Sequence, residues 1–201
     1  MSRNTTTVVR DWHMDDVEAG YAVWNAALGT SWPLKEAAFR ERASEGVVAL
    51  RDGQMLGFAL VDSSRELPAI IALCVRPEVQ GHGIGTALHD AAIATLHGAG
   101  LRRIGLGAGR HYFWPGVPLN LAGARTFFAR RGWLSEETTW DLVSRDLHDF
   151  QPPQNVVERG RDAAVECRCA RTEERDAVLL FEEEHFRSGH RTFAASPKRH
   201  G

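Results

Sequence analysis

The chain has 201 residues, of which 43% are hydrophobic and 25% are charged, and its formal net charge is −2 at pH 7. This composition is typical of a globular protein with a sizeable core, and it excludes global disorder. The near-neutral charge gives no electrostatic reason to expect a nucleic-acid or membrane partner, and no apolar run approaches the roughly 18 residues that a membrane span needs.

Three cysteines are present, Cys74, Cys167 and Cys169. Their number is odd, and no further metal-ligating residues lie close to them in sequence, so we expect buried thiols in a reducing compartment and no metal site. The first ten residues are polar and Thr-rich and do not resemble a signal peptide. Both observations predict a cytoplasmic protein.

The first third of the chain predicts a strand, two helices and a hairpin. A β-branched stretch at residues 6–10 is typical of a strand, and apolar residues at helical spacing predict a helix over residues 15–28. A second helix is expected over residues 33–43, with proline at its first position. Strands at 47–50 and 55–61 are separated by an Asp-Gly turn, which favours a hairpin.

The middle of the chain predicts a strand, a helix and a second strand that form a βαβ unit. The apolar run at residues 69–75 is typical of a buried strand, residues 84–96 have a helical pattern, and residues 102–108 are again strand-like. The loop on the first turn of such a unit is where α/β folds bind ligands.

That loop contains Gly81, Gly83 and Gly85. Glycine permits positive φ and a close approach by a ligand, and the first N–H groups of the following helix have no partners within the helix. The loop is therefore predicted to bind an anion, most naturally a phosphate. The spacing does not fit the dinucleotide fingerprint Gly-x-Gly-x-x-Gly, and no Gly-Lys-Ser/Thr follows as in a nucleotide P-loop.

An aromatic loop over residues 110–118 follows the βαβ unit. Its aromatic residues either form a hydrophobic plug or line a pocket for a second substrate. A helix is predicted over residues 121–130 and a strand over residues 138–147. The complete order predicts an α/β (α+β) protein with one twisted, mixed, mainly antiparallel sheet and flanking helices.

Residues 80–85, Gln-Gly-His-Gly-Ile-Gly, resemble the acetyl-CoA motif Gln/Arg-x-x-Gly-x-Gly/Ala of the GNAT family of N-acetyltransferases. The preceding strand ends in Val-Arg-Pro-Glu, and Phe127-Phe128-Ala129-Arg130-Arg131-Gly132-Trp133 resembles the family's later helix. The resemblance covers about residues 5–147. Because the motif lies within the complete order of strands and helices, the match is specific.

The resemblance implies transfer of an acetyl group from acetyl-CoA, as co-substrate, to a primary amine by direct attack in a ternary complex. It implies that the backbone of the strand lies beside the pantetheine arm and that the loop amides hold the pyrophosphate, with Thr86 adding a hydroxyl. The implied coenzyme-binding residues are Leu73, Cys74, Val75, Gln80, Gly81, His82, Gly83, Ile84, Gly85 and Thr86. The acceptor stays open among polyamines, aminoglycosides, amino acids and protein N-termini.

The sequence departs from the family pattern at the groups that move protons. Some members have a glutamate early in the strand before the loop, where this chain has Leu-Pro-Ala-Ile, so Glu66 and Asp62 are the nearest candidates for the general base. Many members have a tyrosine in the later helix that protonates the thiolate, where this chain has Phe128. Tyr112 is then the candidate general acid. These departures keep two alternatives open: a catalytically silent acyl-CoA-binding module that senses or regulates, and a pure interaction domain.

The C-terminal part predicts a separate segment. We expect an acetyltransferase domain over residues 1–150, a linker over 151–162 that contains Pro152 and Pro153, and a strand and helix within 163–201, where the last residues are disordered. This strand and helix resemble the start of a second domain in bacterial tandem-GNAT proteins, of which this chain resembles the first half. The segment is either an extension that packs on the first domain or a remnant that pairs with a second copy, which would give a homodimer.

Overall fold

A computed structural model describes residues 6–64, 68–107, 113, 116–134, 138, 140, 149–166 and 168–185. The chain divides into two compact units, residues 1–135 and 136–201. This division lies before residue 150, where the sequence places the end of the first domain. The assignment of the two predicted domains stays a prediction.

The first unit contains a five-stranded sheet in the order β1-β2-β3-β4-β5. Neighbouring strands are antiparallel except β4 and β5, which are parallel. The strands are β1 (Val8–Asp11), β2 (Gly46–Arg51), β3 (Gln54–Asp62), β4 (Ala69–Val75) and β5 (Gly105–Leu106). The predicted mixed, mainly antiparallel sheet is confirmed, although β5 is much shorter than the predicted 102–108.

Four α-helices accompany the sheet in the described part of the first unit. They are α1 (Val17–Leu28), α2 (Glu36–Arg42), α3 (Ile84–Gly98) and α4 (Ala122–Ala129). The helix α3 joins the parallel strands β4 and β5, as the βαβ prediction requires. Lys35 has extended backbone angles, so α2 begins later than the predicted residue 33.

Helices cover both faces of the sheet. Trp24 of α1 and Phe39 of α2 pack with Phe58 of β3 in one buried cluster. On the other face, Leu88 of α3 packs with Ile70 of β4 in a second cluster. The covered strands are therefore apolar on both faces, which explains why their sequences are nearly continuous hydrophobic runs.

The hairpin between β2 and β3 turns at Asp52 and Gly53, which have φ of 51° and 77°. Positive φ at both central residues is the geometry of a type I′ turn, which matches the twist of the two strands. The Asp-Gly signal in the sequence is thereby confirmed.

The second unit is described in part. It contains α5 (Gln154–Asp162), inside the predicted linker, and α6 (Arg175–His185), inside the predicted helical segment. The expected strand before α6 is not found in the described residues 165, 166 and 168–170. Most of the predicted strand at 138–147, together with Cys167 and residues 186–201, lies outside the described residues.

Among the residues that the structure describes, no helix has the length and apolar character of a membrane span. The same residues contain no cluster of metal-ligating side chains.

A bidentate ion pair holds the start of α1 against β1. Both guanidinium Nη atoms of Arg10 donate to the carboxylate of Asp16 over 2.7 Å, and the backbone N–H of His13 donates to Asp16 Oδ2 over 2.8 Å. Asp16 is buried. Hydrogen bonding from Arg10 lowers the pKa of Asp16, against the opposing effect of burial, and the His13 amide lowers it further.

We predict that Asp16→Asn lowers the free energy of unfolding by roughly 1–2 kcal/mol near neutral pH, because one partner of the pair is lost while Arg10 stays partly exposed. Since folding lowers the pKa of Asp16, the carboxylate stabilises the fold above its ordinary pKa of about 3.9 and ceases to do so as pH falls through the lower folded value. Urea denaturation at several pH values should show the difference from wild type vanish in acid.

The matched control is Glu36→Gln, which removes an exposed pair with Arg40 in α2. Its effect should be below about 0.5 kcal/mol at every pH. An equal loss in both variants would contradict a special role for the Arg10–Asp16 pair.

Candidate active site

A β-bulge in β4 lies where the described pairing between β4 and β5 ends. Leu60 lies opposite Ala72 and Val61 lies opposite Ile70, so Ile71 is an extra residue in β4. Among the described residues, β5 pairs with β4 only at Ala69 and Ile70. Bulges bend a strand and increase its twist. Beyond Ile70, the edge of β4 that faces β5 therefore has no strand beside it in the described part of the chain.

The backbone groups of Leu73 and Val75 point to this open edge. The N–H of Arg76 donates to Leu56 O over 2.8 Å, so the pair Gly57–Val75 lies between ladder hydrogen bonds and directs its own polar groups away from its partner strand. The backbone polar groups of Leu73, two residues earlier in the strand, point to the same side as those of Val75. The side chain of Gln80 occupies one of these groups, since its Nε2 donates to Val75 O over 2.9 Å.

The open edge forms one wall of a cleft of about 460 Å³. The other walls come from α1 and from the segment before and within α4. The described lining residues include Trp24, Leu28, Leu106, Asn120, Leu121 and Phe128. Gln80 and Asn120 are the only described lining side chains with an amide, and no described lining residue is a carboxylate or a tyrosine.

The glycine loop lies at one end of this cleft, beside Gln80. Gly81 and Gly83 have φ of 78° and 82°, which disfavours any residue with a Cβ. A Cβ at either position would meet no atom within 4 Å, so the glycines serve the backbone conformation and leave the space above the loop free. Gly85 differs, because its Cβ would lie 3.4 Å from Phe127, and it allows α3 to approach α4.

The helix α3 starts directly after Gly83 without a side-chain cap. Its first N–H groups precede the first described helical bond, from Ala87 N to Gly83 O over 3.0 Å. Unpaired amides and the positive end of the helix dipole together favour an anion. The loop thus has the geometry that the sequence predicts for a phosphate site.

The end of α4 packs against α3 through an aromatic cluster. Phe127, Phe128 and Trp133 surround the buried ring of His89 at centroid distances of 6.0–6.4 Å. The indole N–H of Trp133 donates to His89 Nε2 over 2.9 Å. Because this nitrogen accepts, the proton of the neutral ring is on Nδ1, which lies 2.8 Å from Asp90 Oδ1.

A family model described as the acetyltransferase (GNAT) family matches residues 7–114, more than half of the chain. The chain belongs to the GNAT family. The predicted family is thereby confirmed, whereas the resemblance to tandem-GNAT proteins stays a prediction. A search of curated proteins found no significant match.

Solved GNAT structures have the same fold. A fungal multi-domain GH3 β-N-acetylglucosaminidase, described as having a GCN5-related glucosamine N-acetyltransferase region, matches 96% of this chain with 27% identity and a TM-score of 0.76. This chain spans 24% of that protein's length. The ribosomal-protein-S18-alanine N-acetyltransferase of Escherichia coli has 21% identity over 63% of this chain and 77% of its own, with a TM-score of 0.54.

A third GNAT structure is an aminoglycoside N-acetyltransferase in complex with CoA. It has 15% identity over 72% of this chain and 99% of its own, with a TM-score of 0.53. Likenesses at this level of identity concern the fold. Together with the family match, they indicate that the chain has the acetyltransferase architecture.

The structure brings together most of the residues predicted to bind a GNAT coenzyme. Leu73 and Val75 open to the cleft, and Gln80, Gly81, His82 and Gly83 form the loop. Cys74 points its backbone to β3, because it lies opposite Phe58 in the alternate phase of the ladder. Ile84 is buried, so only its backbone can reach a ligand. His82 is exposed, with Nδ1 2.8 Å from Gln80 O.

The residues predicted to move protons are not assembled in the described site. Tyr112 and Glu66 lie outside the described residues. Asp62 ends β3 opposite Ala69, and its Oδ1 accepts a hydrogen bond from Ser64 N over 2.9 Å. It is about 13 Å along β4 from Leu73, at the strand spacing of ~3.3 Å per residue. Its role stays a prediction.

Two side chains near the glycine loop were not predicted from the sequence as part of the site. Arg131, after α4, donates to Thr86 Oγ1, and His89 joins α3 to Trp133. The sequence signal for the first was the pair Arg130-Arg131 before Gly132. Phe113, the one aromatic residue of the aromatic loop that the structure describes, contacts Trp24 of α1 at a centroid distance of 5.3 Å.

Cys74 lines the cleft, but its thiol is buried. Burial raises the pKa of Cys74 to about 12, so the thiolate, which is the reactive form, is disfavoured at about pH 8. The cleft therefore does not provide Cys74 as a nucleophile for a covalent acetyl-enzyme.

We predict that iodoacetamide at about pH 8 modifies the exposed Cys169 in the native protein and leaves Cys74 unmodified until urea unfolds the chain. Mass spectrometry of proteolytic peptides would measure both. Modification of native Cys74 at the rate of Cys169 would contradict this expectation. It would make a covalent acetyl-enzyme on Cys74 a candidate intermediate.

Proposed function

We propose that the protein transfers an acetyl group from acetyl-CoA to a primary amine, and that an amino sugar of the glucosamine class is the acceptor. The observation that carries the donor is the open edge of β4 beside the uncapped start of α3. A pantetheine arm has amide groups that can pair with Leu73 and Val75 as an added strand would. The pyrophosphate can then meet the loop amides of residues 81–85.

In the proposed reaction, the amine nitrogen attacks the thioester carbonyl carbon and forms a C–N bond. The C–S bond then breaks, the nitrogen loses a proton, and the CoA thiolate gains one. Glu66 or Asp62, acting through water, is the proposed base, and Tyr112 is the proposed acid. Phe128 lines the cleft and has no proton to donate, so another residue must protonate the CoA thiolate.

Two observations support a sugar amine as acceptor. The likeness at 27% identity over 96% of this chain is to a multi-domain protein whose description names a glucosamine N-acetyltransferase region. In addition, the described lining residues include the neutral amide of Asn120 and no carboxylate, while the amide of Gln80 is bonded to Val75 O. Amides suit the hydroxyl groups of a sugar, whereas a polyamine or an aminoglycoside with several ammonium groups calls for carboxylates.

The catalytically silent acyl-CoA-binding module stays the alternative. It is favoured by the lack of a carboxylate or tyrosine among the described lining residues. It differs from the proposed enzyme in one measurable respect, because it would bind acetyl-CoA without releasing CoA in the presence of any amine.

The donor site is tested by Gly83→Asp. We predict at least about a tenfold loss of acetyl-CoA affinity, which corresponds to about 1.4 kcal/mol, because a carboxylate would face the phosphates. Isothermal titration calorimetry would measure it.

Gly53→Asp is the matched control for this variant. Gly53 has a similar φ of 77° and equally open surroundings, and it lies in the β2–β3 turn. It should retain wild-type affinity at a similar cost in stability. Equal affinity in both variants would refute the loop as the phosphate site.

The acceptor is tested by measuring the release of the CoA thiol in the presence of glucosamine, a peptide with N-terminal alanine, spermidine or sisomicin. We predict that kcat/KM is highest for glucosamine, by at least about tenfold, because the polar groups of the site fit its hydroxyls. N-acetylglucosamine, whose amine is blocked, is the negative control. Preference for the peptide or for sisomicin would contradict the sugar acceptor, and binding without release would favour the silent module.

A further inference from the structure

Arg131 lies beside the start of α3 in a fixed orientation. Its Nη2 donates to Thr86 Oγ1, and its Nη1 donates to Phe127 O over 3.0 Å. The guanidinium carbon is 3.7 Å from the centroid of the Phe127 ring, in cation–π contact. Thr86 is in the first turn of α3, so the contacts hold a partly buried cation next to the glycine loop.

This placement is electrostatically unfavourable without an anion. The N-terminus of a helix has a partial positive charge, and a cation there is destabilising. No carboxylate compensates in the first turn of α3, which contains no acidic residue. Arg131 also has no ion pair among the described residues.

We propose that Arg131 binds a phosphate group of the coenzyme, together with the loop amides. The inference rests on the proposed function and adds to it a residue that lies outside the motif at 80–85. The guanidinium keeps N–H groups beyond the two that Thr86 and Phe127 engage, and its flat shape matches two oxygens of one phosphate. The contacts with Phe127 and Thr86 orient it before the coenzyme arrives, which reduces the entropy lost on binding.

The phosphate is either in the pyrophosphate or at the 3′ position of the ribose. Titration calorimetry with CoA and with 3′-dephospho-CoA distinguishes them. We predict that Arg131→Gln weakens CoA binding at least about tenfold, the size expected when a hydrogen bond to a charged group is lost. If the 3′-phosphate is the partner, 3′-dephospho-CoA binds wild type and variant alike; if the pyrophosphate is, the variant loses affinity for both ligands.

Arg130→Gln is the matched control, because it removes the same charge from the adjacent, exposed residue. It should bind CoA as wild type does. Arg131→Lys, which keeps the charge but not the flat fork, serves if the glutamine variant folds poorly, and it should show an intermediate loss. Melting temperatures of the unliganded variants verify that each is folded.

The outcomes separate this inference from the proposed function. Failure of wild type to bind CoA would refute both. Wild-type binding with undiminished affinity in Arg131→Gln and Arg131→Lys would overturn the role of Arg131 alone. Equal losses in Arg130→Gln and Arg131→Gln would also overturn it, because the effect would then come from net charge and not from this position.

Discussion

The end of the described pairing between β4 and β5 at Ile70 is the constraint on which the rest of the described site depends. A parallel strand pairs through evenly spaced hydrogen bonds, and the last two in the described part of the chain run from Gly105 N to Pro68 O and from Gly107 N to Ile70 O. The bulge at Ile71 bends β4 at that point. The backbone polar groups that follow need other partners, and a ligand with amide groups can provide them. The described edge of β4 thus presents main-chain polar groups to the cleft.

This origin explains why the described site has few chemically active side chains. Leu73 and Val75 contribute backbone, and the glycines contribute a conformation and free space. Side chains act at the margins, where Gln80 occupies Val75 O and Arg131 contacts Thr86. Substitutions at such backbone positions change binding through φ or through added volume, which is why the glycines are more informative targets than the apolar residues of β4.

The cluster around His89 gives the site its second fixed wall. Trp133 and Phe128 come from the α4 end, and they pack on His89 of α3. The hydrogen bond from Trp133 satisfies the buried imidazole, which would otherwise lose hydration without compensation. Arg131 lies between Phe128 and Trp133 in sequence, and both of these residues pack on His89. The position of Arg131 is therefore set by the α3–α4 contact as well as by its own hydrogen bonds.

The sequence predicted the parts of this structure that local chemistry determines. The strand 69–75, the Asp-Gly turn and the start of α3 at Ile84 each depend on a few adjacent residues, and all are confirmed. In the described residues β5 covers only Gly105–Leu106, and its pairing with β4 reaches Ile70, next to the bulge at Ile71. No local pattern in residues 102–108 encodes that bulge. The contact of Arg131 with Thr86 joins residues 45 positions apart. This contact depends on the packing of α4 against α3 at Gly85. Only the three-dimensional arrangement therefore brings the Arg131 guanidinium next to the glycine loop, which the sequence alone predicts.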